Sequence, residues 1–158
     1  MLGKTYDTQI CSIARALEVI GERWSLLIVR DAVFAGVTRF SDFQHNLGIA
    51  TNVLASRLDA FVAAGIMERV GDGPTEYRLA GKGRDLAPAL VALTTWGDQW
   101  ASPVEPPILY VHAACGEAVH HTLSCASCGP IGPSDVRVRP GPGMPREYLA
   151  NRRPKRSA

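Results

Sequence analysis

The 158-residue sequence predicts a mainly α fold with one small β-hairpin wing, an α+β winged helix-turn-helix, followed by a small zinc-ribbon-like segment. Three observations carry that expectation. Apolar residues recur at helical spacing through most of the first hundred positions. Two short strand-like runs flank Gly71-Asp72-Gly73-Pro74-Thr75, whose composition is that of a turn. Beyond a proline-rich break, a His-x2-Cys pair and a Cys-x2-Cys pair stand nine residues apart.

Taken in order, Ile13, Leu17 and Ile20 lay an apolar stripe on a helix that opens at Ser12 and closes at Gly21. A second helix begins near Arg23, carries Trp24, Leu27, Ile28 and Phe34, and ends at Gly36. The segment from Phe40 to Gly48 offers Ser41 as an N-cap and a glycine stop, which makes a two-turn helix. After a few residues Ala50 or Thr51 opens the pattern Val53, Leu54, Leu58, Phe61 and Val62, closed by Gly65. Helices joined by so tight a connection must cross steeply, the helix-turn-helix arrangement. Asn52, Ser56 and Arg57 fall off the stripe of Leu54, Leu58 and Phe61, so they are expected to face outward as groove readers.

Residues 66–70 and 76–79 form the hairpin, and a hairpin directly after a helix-turn-helix is a wing. The chain then re-enters a helix near Arg84, with Pro88 tolerated in its first turn. Leu86, Leu90, Leu93 and Trp100 recur close to heptad spacing. A small winged domain has little core left to cover so many large residues, so this seam is expected to pair with a second copy.

Composition excludes several classes. No run approaches the ~20 apolar residues of a membrane helix, and the start Met-Leu-Gly-Lys-Thr-Tyr-Asp lacks the basic-then-apolar pattern of a secretory signal. Four cysteines are too few and too unevenly placed for a disulfide scaffold, so a cytoplasmic protein without membrane contact is expected. The net charge of +2 conceals an asymmetry. Residues 1–100 hold ten Lys/Arg against eleven Asp/Glu, whereas residues 137–158 hold seven against Glu147 alone. Such a tail suits a polyanion, and its Pro-Gly-Pro-Gly stretch reads as disorder. The expected organisation is therefore a DNA-binding and dimerisation domain over 1–102, a zinc-ribbon-like segment over 103–133, and a disordered basic tail over 134–158.

The ordered series Cys11-Ser-Ile-Ala-Arg-Ala-Leu-Glu-Val-Ile-Gly-Glu-Arg-Trp24, Arg39-Phe-Ser-Asp-Phe43, Val53-Leu-Ala-Ser-Arg-Leu58, Ala64-Gly-Ile-Met-Glu-Arg69, Tyr77-Arg-Leu79 and Gly81-Lys-Gly-Arg84 resembles the HxlR-type regulators, relatives of the MarR group. The resemblance implies a homodimeric winged helix-turn-helix protein that binds an operator in double-stranded DNA and represses or activates nearby genes. In several members it also implies a response to thiol-reactive or small aromatic effectors. Two departures stand out. Ala50 replaces the usual Ser, which moves the capping to Thr51 or leaves it undone at a cost of about 1 kcal/mol. The wing is short and its tip carries Asp72 without Arg or Lys, and a carboxylate is repelled by phosphates. By residue chemistry, Thr51, Asn52, Ser56 and Arg57 are candidates for base or phosphate contacts, and Arg39, Arg69, Arg78 and Lys82 for backbone neutralisation.

His112-x2-Cys115-Gly116 and Cys125-x2-Cys128-Gly129 look like a pair of zinc-ribbon knuckles, since four N/S ligands at these spacings can close a tetrahedral Zn2+ site. His120 or His121 could replace His112, or three cysteines could bind with water. Reduced unligated thiols and a redox-active Cys125/Cys128 pair are the alternatives. The zinc would be structural, because no His-x-Glu and no Pro before Cys125 supply the general acid/base of a deaminase. No Ser/His/Asp, phosphate-loop or dinucleotide motif is present, so an enzyme is not expected. Cys11 stands apart at the start of the first helix, where free N–H groups favour a thiolate, and is a candidate redox sensor. A winged-helix module for protein partners and a thiol oxidoreductase are the rival readings.

Overall fold

Phe43, Phe61, Ile28, Leu54 and Leu58 are fully buried, and the helices that carry them are arranged around that contact. The computed structural model describes residues 5–71, 74–101 and 105–150, without the side chains of 149 and 150. Asp72 at the wing tip, Pro103 and the Arg-rich stretch 151–158 lie outside the described residues. The chain divides into two compact units, residues 1–121 and 122–158.

In the first unit, α1 (Ser12–Ile20), α2 (Ser25–Phe34), α3 (Phe40–Leu47) and α4 (Thr51–Ala63) precede the strands β1 (Met67–Val70) and β2 (Glu76–Leu79); α5 (Gly81–Arg84) and α6 (Ala87–Trp100) follow. The core takes Ile28 and Val29 from α2, Phe43 from α3, and Leu54, Leu58 and Phe61 from α4. Ile49, Ile66, Met67, Tyr77 and Leu90 complete it. The first helix contributes much less. Of its side chains only Ala14 is buried, while Ile13 is 72% and Leu17 42% exposed. Its apolar stripe is therefore real but open in a single chain.

Helix starts follow backbone geometry more than side-chain caps. Arg39, not Ser41, is the N-cap of α3, and Ser41 lies inside the first turn with its hydroxyl donating to Asp42 Oδ1. Ala50 caps α4 without a side-chain hydrogen bond, so the capping function is left undone there. Pro88 sits in the first turn of α6, where its missing N–H costs nothing.

The hairpin is antiparallel, with Met67 opposite Leu79 and Val70 opposite Glu76. It is anchored at both ends. Tyr77 donates its N–H to the Thr38 carbonyl at 2.7 Å, and Ala80 donates to Ile66 at 3.0 Å. Behind it α5 presses so closely on β1 that a Cβ at Gly83 would land on the Ile66 carbonyl oxygen and 2.7 Å from Leu79 Cδ2.

The composition break near Pro103 does not coincide with the division between the units. Tyr110 stacks on Phe34 of α2 with centroids 4.3 Å apart, and this ring contact ties the chain after α6 to the first unit. Val111 and Ala118 form an isolated antiparallel bridge there. The second unit holds the two-residue strands β3 (Ser124–Cys125) and β4 (Gly129–Pro130), a 3-10 turn at Pro133–Asp135 and the short helix α7 (Arg146–Ala150). The five-residue helix α7 lies within the tail expected over 134–158, and the tail's terminal Arg cluster falls outside the described residues.

Candidate nucleic-acid interface

The face available to DNA is defined by what the core leaves out. With Leu54, Leu58 and Phe61 buried, Asn52 and Ser56 one turn apart occupy the exposed side of α4. Thr51 begins the helix, and its Oγ1 accepts a 2.7 Å hydrogen bond from Gln44 Nε2 on α3. Gln44 therefore links the two helices of the motif across the turn that Gly48 makes in the left-handed conformation. Val53 belongs to the apolar pattern of this helix, yet it is 37% exposed. An exposed valine there offers an apolar surface suited to a thymine methyl.

The arginines assigned to phosphate or base contact are all engaged with carboxylates. Glu76 of β2 accepts from Arg78 at 2.9 Å and lies 3.9 Å from Arg39. Arg69 of β1 pairs with Asp59 of α4 and lies over the Tyr77 ring. The Tyr77 contact, followed by the Asp59 charge, raises its pKa further. Lys82 donates to the Ala64 carbonyl at 2.8 Å. Arg57 differs from the others, because its side chain is only 17% exposed and its guanidinium faces Glu22 at 4.0 Å. It is the least exposed of the four arginines. Sequence spacing could not have paired Arg57 with Glu22 or Arg39 with Glu76, which lie 35 and 37 positions apart, whereas Arg78 and Glu76 are i,i+2 neighbours on β2.

The seam expected on the last helix of the winged domain separates into two sets. Leu90 is 6% exposed in the protomer's own core and Leu86 packs against that core, so both already have partners within the chain. Leu93 and Trp100 are 50% and 68% exposed, and Trp96, absent from the expected seam, is 61% exposed between them. Three large apolar side chains one turn apart on α6 thus remain uncovered in a single chain.

Cys11 is the N-cap of α1, with Sγ accepting the Ala14 N–H at 3.4 Å, and it is exposed. The other cysteines lie in two separate turns. In the first unit His112 Nδ1 stands 3.2 Å from Cys115 Sγ. In the second, Cys125 and Cys128 bracket the β3–β4 turn, and N–H groups of Ser127 and Cys128 aimed at Cys125 lower its thiol pKa. Neither unit gathers three metal-ligating side chains among the described residues.

Comparison with known proteins agrees with this geometry. Residues 19–105 match the family described as HxlR-like helix-turn-helix. The HTH-type transcriptional regulator Rv3095 of Mycobacterium tuberculosis is 46% identical over 139 residues, which cover 84% of this chain and 87% of the relative. Among solved structures, the candidate transcription factor PA1607 shares 42% identity at a TM-score of 0.75, covering 82% of this chain and 94% of its own. PA1374 of Pseudomonas aeruginosa shares 33% at 0.63, covering 89% and 99%. The winged region alone is similar to quinone-bound YodB of Bacillus subtilis (28% identity, TM-score 0.51, 58% and 100% covered). The redox regulator HypR in its oxidised form is similar to the same extent of chain (26%, 0.53, 59% and 100%).

Proposed function

The chain belongs to the HxlR-like helix-turn-helix family, and on that premise we propose that it acts in the cytoplasm as a homodimer whose paired α4 helices read the two half-sites of an operator. It is a DNA-binding transcriptional regulator and not an enzyme, as are its family and curated relatives. Among the described residues no helix is long and apolar enough to cross a membrane.

One observation carries the reading role: Asn52 and Ser56 are exposed on a helix whose opposite face is locked into the core by Leu54, Leu58 and Phe61. A rigid helix can hold hydrogen-bonding groups at fixed base edges, with Asn addressing adenine bidentately. Arg39 and Arg78, grouped around Glu76, flank it as phosphate contacts. The open α1 and α6 faces supply the surface for the second copy, which two half-sites about one helical turn apart require.

The test is a mobility shift of the full chain on DNA from upstream of its own gene, repeated over a salt series. Selective binding that Asn52→Ala weakens by about 1–3 kcal/mol, with loss of discrimination, supports the assignment. Equal affinity for unrelated duplexes would instead favour a winged-helix module for protein partners.

A thiol-reactive effector is the second part of the proposal, acting at exposed Cys11. Its support is the position of the sulfur at the first turn of α1, together with similarity to a quinone-bound and a redox regulator. Quinone or peroxide treatment should alter operator binding by the wild-type chain, and Cys11→Ser should bind but no longer respond. A response retained in Cys11→Ser would end this part of the reading.

A further inference from the structure

Beyond α6 the chain returns along the winged unit. Tyr110 stacks on Phe34 with centroids 4.3 Å apart, and a narrow hairpin follows, closed by the Val119 N–H on the Tyr110 carbonyl and the His112 N–H on the Glu117 carbonyl, each at 2.8 Å. Between this return and α6 lies an open groove of about 360 Å3, all of it within residues 1–121. Val91, Thr94 and Asp98 stand on one wall, Ile108, Leu109 and Val119 on the other. The family match ends at residue 105, so the second wall comes from outside it.

Helix α6 therefore meets three surroundings. Leu86 and Leu90 pack on the core, while Leu93, Trp96 and Trp100 are the open face. Val91, Thr94, Thr95 and Asp98 recur in steps of three and four, which puts them on the side roughly opposite that open face. Thr95 donates its hydroxyl back to the Val91 carbonyl at 3.0 Å. Asp98 is half-buried, and among the described residues no Lys, Arg or His pairs with it. The adjoining cleft, which shares Ile108 and Tyr110, is different, because its Asp31 is already held by Arg30 at 2.7 Å. Opposite Asp98 the second wall is apolar and uncovered, with Ile108 52%, Leu109 67% and Val119 41% exposed. A half-buried carboxylate without a cation and an apolar wall left in water are both unfavourable, and one ligand can relieve both.

We propose that this groove binds a hydrophobic amine, its ammonium group on the Asp98 carboxylate and its aromatic or alkyl body against Val91, Ile108, Leu109 and Val119. No Lys or Arg lines the groove, so an anion would meet the Asp98 charge without compensation. The volume falls at the small end of the range for small-molecule sites, which are apolar with a few polar groups that fix orientation. The site stands on the groove alone, and only its role as an effector site rests on the operator reading. On that reading the ligand contacts α6 across from the face assigned to the second copy, at a place separate from Cys11.

The experiment is calorimetry on the full chain, without DNA, using phenylbutylamine, phenylbutanol and phenylbutyrate, which share a body and differ in the head group. The amine is expected to bind once per chain and about tenfold more tightly than the alcohol, with the carboxylate weakest. Asp98→Asn should bring the amine down to the level of the alcohol and leave the alcohol unchanged, whereas Val119→Phe should weaken all three by filling the groove. Glu68→Gln, which removes an exposed acid on β1, should change nothing. Thermal melts of the unliganded variants separate loss of the charge from loss of fold. Equal affinity for amine and carboxylate, an unchanged amine affinity in Asp98→Asn, or no binding of any probe would overturn the proposal. So would a wild-type dimer that Val119→Phe dissociates while no probe binds, which would give the groove to a second copy. Because no DNA is present, these outcomes are independent of whether the chain selects an operator.

Discussion

The Arg57 guanidinium lies 4.0 Å from Glu22 Oε1, so the recognition helix α4 is tied to the turn between α1 and α2. Arg57 keeps only 17% of its side chain exposed, whereas Glu22 keeps 58%. The arginine that spacing offered as a base reader is thus also a brace between elements.

Replacing Arg57 with Ala should lower stability by about 1 kcal/mol, through lost stem packing as much as through lost charge. Operator and random duplexes should weaken alike, leaving their affinity ratio unchanged. Denaturant melts and competition shifts measure the two effects separately. A flattened ratio would return Arg57 to base contact, and Glu22→Gln would then tighten operator binding by freeing it.

Glu76 at the start of β2 holds Arg78 at 2.9 Å and Arg39 at 3.9 Å. Glu76→Gln removes a charge that competes with phosphate. The expected result is tighter binding to all duplexes and a steeper dependence on salt, whereas Arg78→Ala should reduce the salt slope by about one. Identical slopes for wild type and both variants would show that this pair does not meet DNA.

Trp96→Asp with Leu93→Asp should shift the protein toward monomers in sedimentation and weaken operator binding with it, while the fold survives, since both side chains are exposed in one chain. Leu90 is the contrasting position. Leu90→Ala should cost about 2–5 kcal/mol of stability, because it opens a cavity in the core. A Leu93/Trp96 variant that remains dimeric would place the interface elsewhere, the exposed Ile13 and Leu17 of α1 being the next surface to test.

Gly83→Ala should destabilise the winged unit by about 1–3 kcal/mol, because the new methyl meets the Ile66 carbonyl and Leu79. Gly97, with nothing within 4 Å of an added Cβ, is the control, and Ala there should be neutral or slightly stabilising. Thermal melts of the two variants decide the matter.

Much of the interface was legible because it depends on periodicity. The pattern Leu54, Leu58, Phe61 places three side chains on one face of a helix, and Asn52 and Ser56 must then take the other. Turn chemistry was equally local, as the hairpin around Gly71–Thr75 and the glycine stop at Gly48 demonstrate. Arg39 rather than Ser41 caps α3, because the capping preference of a side chain is weak beside the extended backbone of Arg39, which bridges to Glu76.

What periodicity cannot show is which element an apolar stripe faces. By itself the sequence determined that α1 and α6 each have an apolar face, that α3 and α4 form a helix-turn-helix with a hairpin after it, and that a His-x2-Cys and a Cys-x2-Cys spacing occur at His112/Cys115 and Cys125/Cys128. Only tertiary structure decided that Leu90 turns into the core while Leu93, Trp96 and Trp100 stay open, and that Ile13 and Leu17 lack cover in a single chain. The same holds for the pairing of Arg57 with Glu22 and of Arg39 with Glu76. The physical reason is one of range. Hydrophobic period and turn propensity act between residues a few positions apart, whereas the pairings of Arg57 with Glu22 and of Arg39 with Glu76 join residues 35 or more positions apart, whose approach is fixed only once the whole core has packed.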